Sequence, residues 1–266
     1  MTKPIITLDD NFVALISAGA SGIGKVIAES LIALGAKVHI CDVSETAIAE
    51  FIRLNPTASA TLCDVSNFEQ VEQVFRDLKS KYNKLDLLVN NAGIAGPTDK
   101  VENIDPQEWC NTINIDLNAH FYFAKLAIPL LRTNNKGGSI INISSNAAFF
   151  GFPLRSPYTA SKWALIGLTK TWAMELGPDN IRVNALCPGS VNGDRINGVI
   201  ERDAKERGVS TEEITNIYKI QSSMRLFVDP EDIANMACFL ASPLGASISG
   251  QAIGLDGHTE SLSNNL

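Results

Sequence analysis

Histidine and cysteine are scarce and poorly placed for metal chemistry. Three histidines (His39, His120, His258) and five cysteines (Cys41, Cys63, Cys110, Cys187, Cys238) are scattered along the chain, with no C-x-x-C spacing. No metal site or disulfide framework is therefore expected, and a reducing cytoplasm is the default compartment. No apolar run reaches the ~18 residues of a membrane span. The stretch Met1–Asp10 has neither an apolar h-region nor a cleavage site, so neither export nor membrane insertion is expected. Basic blocks are also missing: 22 Lys and Arg face 29 Asp and Glu, a formal charge of -7. That balance argues against nucleic acid or anionic lipid as the main partner. What is present, 266 residues of which 45% are hydrophobic, is enough for one sizeable core around a small-molecule site.

Short β-branched runs alternate with longer amphipathic ones. Strand-like segments fall at 12–17, 37–41, 58–63, 85–90, 139–144, 181–186 and 252–255, and helix-like segments at 23–34, 45–53, 68–82, 109–131, 158–176 and 230–240. Runs such as Leu87-Leu-Val and Ile140-Ile-Asn-Ile are apolar on both faces, as strands covered by helices on both sides must be. The pattern predicts an α/β fold, a single-domain doubly wound Rossmann fold over 1–266 with a parallel sheet of about seven strands. Only 190–227 breaks the rhythm, with alternating charge in Glu201–Arg207 and no strand signal. It reads as two short helices forming a lid over the carboxyl edge of the sheet, where ligands bind in such folds, or else as a solvated excursion.

After the first strand comes Ser17-Ala-Gly19-Ala-Ser21-Gly22-Ile23-Gly24, running into a helix. Glycines there let a pyrophosphate approach the backbone and the free N–H groups of the helix start. Asp42 ends the second strand, 18 residues after Gly24, where a carboxylate can accept both ribose hydroxyls and would repel a 2′-phosphate. With Ser rather than a cation at position 21, this favours NAD over NADP. Asp42 could instead cap the following helix.

Tyr158 and Lys162 lie four apart, on one face of a helix. A phenol is only about 0.1% ionised at pH 7, so general-base work needs a fixed cation nearby to favour phenolate. Lys162 is placed to be that cation. Together with Asp64-Val65, Asn90-Asn91-Ala92-Gly93, Ser145 thirteen residues before Tyr158, and Pro188-Gly189, these motifs resemble the classical short-chain dehydrogenases/reductases over nearly the whole chain. The resemblance implies hydride transfer between a nicotinamide and a carbinol or carbonyl carbon. Ser145 would hold the substrate oxygen, Tyr158 would exchange its proton, and Lys162 would bind the nicotinamide ribose. The cofactor would be lined by Ser17, Gly19, Ser21, Gly22, Ile23, Gly24, Asp42, Val43, Asp64, Val65, Asn91, Ala92, Gly93, Pro188, Gly189 and Val191, with Asn90 bridging strands beneath it. It also implies a homotetramer or homodimer. Ser144 is the rival of Ser145.

Three positions depart from the family pattern. Ala18 stands where the first glycine of the turn is usual, a methyl tolerable if φ there is negative. Asp116 takes the place of the Asn that completes a Ser-Tyr-Lys-Asn tetrad. Its neighbours Asn114 and Asn118 lie about 200° around a helix and cannot substitute without a bulge. Asp116 would keep the proton relay behind Lys162 while adding a charge, or else merely cap local backbone. Gly193 replaces a Thr after Pro-Gly, leaving Ser190 or Asn192 to supply its hydrogen bond. Arg155 and Arg195 could grip an acidic group by paired hydrogen bonds, or be plain surface arginines. Asn146, Phe149, Phe152 and Trp163 would shape the site, with Trp163 equally placed for the core. The expected substrate is a secondary alcohol or ketone, anionic if the arginines grip it. A dehydratase or epimerase on the same scaffold, or a catalytically silent nucleotide sensor or scaffold protein, are the alternatives.

Overall fold

The computed structural model describes residues 6–134, 136–260 and 262; residues 1–5, part of the stretch read for export signals, lie outside them. Seven strands form one parallel sheet in the order β3-β2-β1-β4-β5-β6-β7. They are β1 (Val13–Ser17), β2 (Lys37–Asp42), β3 (Ser59–Leu62), β4 (Leu87–Asn90), β5 (Gly138–Ile143), β6 (Ile181–Pro188) and β7 (Ala252–Leu255). Every residue of β1 and β4 is buried, because helices cover both faces. One face packs on α1 (Gly22–Ala33), α2 (Glu45–Leu54) and α9 (Pro230–Ala241), the other on α3 (Phe68–Tyr82), α5 (Ala119–Leu131) and α6 (Ser156–Leu176). The strand order reverses between β1 and β4, and in doubly wound sheets ligands bind at the carboxyl ends beside that switch.

Local sequence explains the elements. In α3 the buried residues Val71, Val74, Phe75 and Leu78 recur at helical spacing. Its start is capped by the Asn67 side chain, which accepts from Gln70 N–H, and its end by Asn83 in the left-handed region (φ 50°). The first strand differs little from the sequence expectation, whereas the stretch 109–131 differs in kind. A helix α4 (Pro106–Ile113), started by Asp105 and Pro106, is separated from α5 by one π turn, Asn114–Asn118. That turn is the bulge without which neither neighbouring Asn could replace Asp116, and it is Asp116 that faces inward, fully buried.

Residues 190–227 hold two helices, α7 (Asp194–Arg207) and α8 (Thr211–Lys219), joined through a small cluster of Ile200, Ala204 and Ile214. The base of the excursion is pinned by a parallel bridge between Val191 and Val228, with Asn192 N–H donating to Val228 O and Val228 N–H to Ser190 O, both at 2.9 Å. Among the described residues no helix is long and apolar enough to cross a membrane. All five thiols are free, and only Cys110 is exposed.

Candidate active site

The turn from β1 to α1 leaves its amides open. Ser21 precedes α1 without a side-chain cap, and no acid occupies the first helical turn, unlike α2 and α3, which are capped by Ser44 and Asn67. Uncapped N–H groups at a helix start attract an anion. Beneath the turn, a Cβ at Gly24 would stand 2.3 Å from Ala18 O and 2.5 Å from Asn91 Nδ2, so no side chain fits there. The Asn91 amide donates to Ser17 O and Ala18 O at 3.1 and 3.0 Å, and Ser17 Oγ accepts from the Asn91 and Ala92 N–H groups. Ser17 and Asn91 thus tie the turn to the end of β4.

Ala18 corrects the expectation for that position. Its φ is +49°, in the left-handed region that a Cβ disfavours, so the methyl is tolerated under strain and not through a negative φ. Ala18→Gly should raise stability by about 1 kcal/mol, the relief of that strain less the entropy glycine adds to the unfolded chain. Chemical denaturation measures it, and an unchanged or lower stability would show that no strain is stored there.

Asp42 is not a helix cap, a role Ser44 fills. Its Oδ2 accepts from Ala20 N–H and its Oδ1 from Ser44 N–H, each at 3.1 Å, which fixes the carboxylate between the glycine turn and the end of β2. Beside it Val43 is 73% exposed, an open apolar platform. Asp64 Oδ1 accepts from the N–H and hydroxyl of Ser66, while Val65 is buried behind it.

Lys162 is buried beside the Asn90–Gly93 loop. Its Nζ donates to Ile143 O at 3.2 Å, at the end of β5, and lies 5.6 Å from the Tyr158 ring centre. A Cβ at Gly93 would stand 3.2 Å from that Nζ and 3.5 Å from Asp116 Oδ1, so ammonium and carboxylate share the space beside that glycine. Asp116 Oδ1 accepts from Ile94 N–H at 2.7 Å, and Oδ2 is buried without a protein partner. Burial pushes this carboxyl above the usual carboxylate range, while Lys162, the Ile94 N–H and more distantly Arg195 and Arg155 pull it down.

Ser144 and Ser145 separate cleanly. Ser144 Oγ donates to Lys162 O at 2.9 Å, which ties β5 to α6 and commits that hydroxyl to structure. Ser145 Oγ accepts from Ala147 N–H and donates, at 3.4 Å, to Asn146 Oδ1. Asn146 in turn reaches Asp256, beyond β7. Asn192 donates to Asp229, the N-cap residue of α9. Gly189 N–H donates to Leu255 O, setting Pro188-Gly189 against β7, and Val191 lies in the bridge described above. Phe152 stacks on Phe150; Phe149 is exposed, and Trp163 is 49% exposed rather than core.

One buried residue escaped the sequence reading. His120 is four residues after Asp116 and on the same inner face; its Nε2 bonds Ala92 O at 3.1 Å. Burial, reinforced by Lys162, pushes it down to about 3, so it is neutral. The helical spacing from Asp116 to Phe123 was the signal for it. Nearby, Asn90 Nδ2 donates to Asn142 Oδ1 and Asn142 Nδ2 to Thr169 Oγ1, both at 2.9 Å. This joins β4, β5 and α6 under the site.

A family model described as enoyl-(acyl carrier protein) reductase matches residues 17–258. Over 264 residues the chain is 38% identical to trans-4-hydroxycyclohexanecarboxylate dehydrogenase of Sinomonas cyclohexanicum, covering 96% of this chain and 94% of that one. Among solved structures, a variant of actinorhodin polyketide ketoreductase with NADPH matches with a TM-score of 0.89 at 29% identity, covering 96% of this chain and 99% of that one. NAD+-bound xylitol dehydrogenase matches with a TM-score of 0.87 at 26% identity, covering 93% and 98%. These two neighbours hold different nicotinamide dinucleotides, so likeness of fold does not choose between NAD and NADP.

Proposed function

The chain belongs to the short-chain dehydrogenase/reductase family, and from that premise we propose that it is an NAD-dependent oxidoreductase interconverting a secondary alcohol and a ketone. The observation that carries the reading is the buried Lys162 ammonium 5.6 Å from the ring of Tyr158, a fixed cation beside a phenol that must exchange a proton. The uncapped start of α1 and the close packing at Gly24 suit a pyrophosphate. Asp42, held by two backbone N–H groups, would take the adenosine ribose and disfavour a 2′-phosphate. Exposed Val43 would lie under the adenine, with Asp64 and Val65 at its edge. The bound dinucleotide supplies a hydride acceptor or donor.

Everything else falls to the protein. In the oxidation direction Tyr158 takes the carbinol proton while Ser145 holds the oxygen, and in reduction the proton returns by the same route. Lys162 stabilises the phenolate charge and would bind the nicotinamide ribose, and Asp116 passes the proton onward. The α7–α8 segment closes over the substrate. The Sinomonas cyclohexanicum relative is named for an alicyclic secondary alcohol, so alicyclic alcohols are the first to screen. Reduction of NAD, and weaker reduction of NADP, on adding such alcohols is the expected result. Binding of NADH without turnover of any alcohol or ketone would instead favour a silent sensor.

Asp116 gives a distinct pH signature. Since burial raises its pKa, the carboxylate loses its charge above the ordinary carboxylate range as pH falls. The acid limb of kcat/KM should carry an inflection there that Asp116→Asn removes, with kcat at the optimum changed less than about tenfold. Superimposable profiles would leave the charge no role.

The exposed apolar side chains Trp109, Phe121, Trp163 and Met174 on α4, α5 and α6 suit self-association into a homodimer or homotetramer, which sedimentation reads directly; a monomer at micromolar concentration would refute it. The reading keeps the cytoplasm as compartment, where five free thiols stay reduced. Recovery of the protein from the periplasmic or secreted fraction would contradict that placement.

A further inference from the structure

Leu154 adopts a left-handed backbone (φ 63°), a conformation a bulky residue enters only at a cost. Its carbonyl accepts from Asp99 N–H at 3.0 Å, and the next residue, Arg155, is turned inward. The Arg155 guanidinium lies 5.7 Å from the Phe152 ring centre and 5.0 Å from that of Tyr158. Its Nη2 donates to Ala95 O at 2.8 Å, and its Nε is buried with no partner. Arg195, in the first turn of α7, also puts its guanidinium 6.0 Å from the Tyr158 ring centre. Among the described residues neither arginine is within ion-pair distance of a carboxylate.

Two like charges brought together beside a phenol, one of them partly desolvated, repel each other and cost stability unless an anion joins them. Burial draws Arg155 below the ordinary arginine range and Arg195 adds to the effect, against the opposing pull of Tyr158, Tyr218 and Asp116. Aromatic stacking and the Ala95 carbonyl hold the fork in one orientation, which lowers the entropy lost when it grips a planar carboxylate.

We propose that Arg155 and Arg195 form a two-armed clamp for a carboxylate carried by the alcohol substrate, with Arg195 bringing the α7–α8 segment onto it. Both guanidinium carbons lie within 6.0 Å of the ring that bears the reacting hydroxyl. Acid and carbinol must then be separated by no more than a six-membered ring or a short chain, which makes the substrate class a compact hydroxy acid or keto acid. The clamp rests on the reading of Tyr158 as the acid/base, yet its charge recognition is measurable without turnover.

The test is calorimetric titration of the NADH-saturated protein with cyclohexanecarboxylate and with its neutral amide. The acid should bind at least about tenfold more tightly, and R155M and R195A should each weaken it by about 10- to 100-fold while leaving the amide unchanged. R195A alters an exposed side chain and carries the test even if R155M fails to fold. Equal affinity for acid and amide, binding of neither, or indifference of the acid to R195A overturns the clamp. A clamp that passes in a protein oxidising no hydroxy acid with NAD would leave charge recognition standing and remove the redox reading. Oxidation of cyclohexanol as efficient as that of 4-hydroxycyclohexanecarboxylate, with KM indifferent to R195A, would do the reverse.

Discussion

Tyr158→Phe should lower kcat for alcohol oxidation by about 10²- to 10⁴-fold, the usual share of a general acid/base group, with NADH affinity and unfolding midpoint little changed. The substitution removes one oxygen and keeps the ring against which Arg155, Lys162 and Arg195 are arranged. Packing around α6 therefore has no reason to alter, and a loss of rate reports chemistry. Lys162→Met should be less selective: its Nζ also bonds Ile143 O, so both stability and cofactor affinity should fall with turnover. Steady-state kinetics with nicotinamide fluorescence titrations separates the two variants. A Tyr158→Phe enzyme within a few-fold of the parent would remove Tyr158 from the acid/base role.

Acidification should destabilise the protein steeply, through two histidines buried neutral. His39 bonds Ser59 and Thr61 through its two ring nitrogens, and burial pushes it down to about 4, with Asp77 opposing and Lys81 assisting. His120, near Lys162, is pushed to about 3. Both folded-state values lie below the unfolded one, so stability is fully present above about pH 6.5 and is lost as the unfolded chain takes up protons below it. By pH 4 each histidine should have contributed a loss on the order of 3 kcal/mol. Asp116 works in the opposite sense, because its raised pKa lets the folded state bind a proton the unfolded chain releases. Urea unfolding across this range measures the sum. His39→Gln, which can still face both hydroxyls, should flatten the slope by about one proton, and an unaltered slope would exclude His39 as a source.

The carboxyl-edge residues were legible because each sits beside a strand end, where apolar runs stop and Gly, Asn, Ser or Asp begins. Gly24, Asn91 and Ser145 announce themselves in that way, whereas Lys162, inside α6, showed itself by its helical spacing to Tyr158. What stayed hidden depends on backbone angles set by tertiary contact. Nothing in Ser17-Ala18-Gly19 discloses that Ala18 takes a positive φ, which follows from how the turn is pinned to Asn91. The expected helix over 109–131 had the right period on either side of Asp116, but one added residue in its ladder is invisible to a pattern tolerant of several spacings. Arg155 read equally as an anion grip and as a plain surface arginine, since its direction is fixed by Leu154 and by Ala95, distant in sequence. Trp163 was placed equally for the site and the core because α6 is apolar around much of its circumference.

The π turn at Asn114–Asn118 also means that the aim of Asp116 is encoded by a count of residues as much as by their kinds. Removing any one residue from this stretch would let α4 and α5 run on as a single regular helix, rotating everything on one side of the cut by about 100° relative to the other. The carboxylate would then swing out from under Gly93, or His120 and Phe123 would leave the core. Substitutions that keep the length leave that phase offset in place, so a family member one residue shorter here would have to assemble its relay from a different side chain.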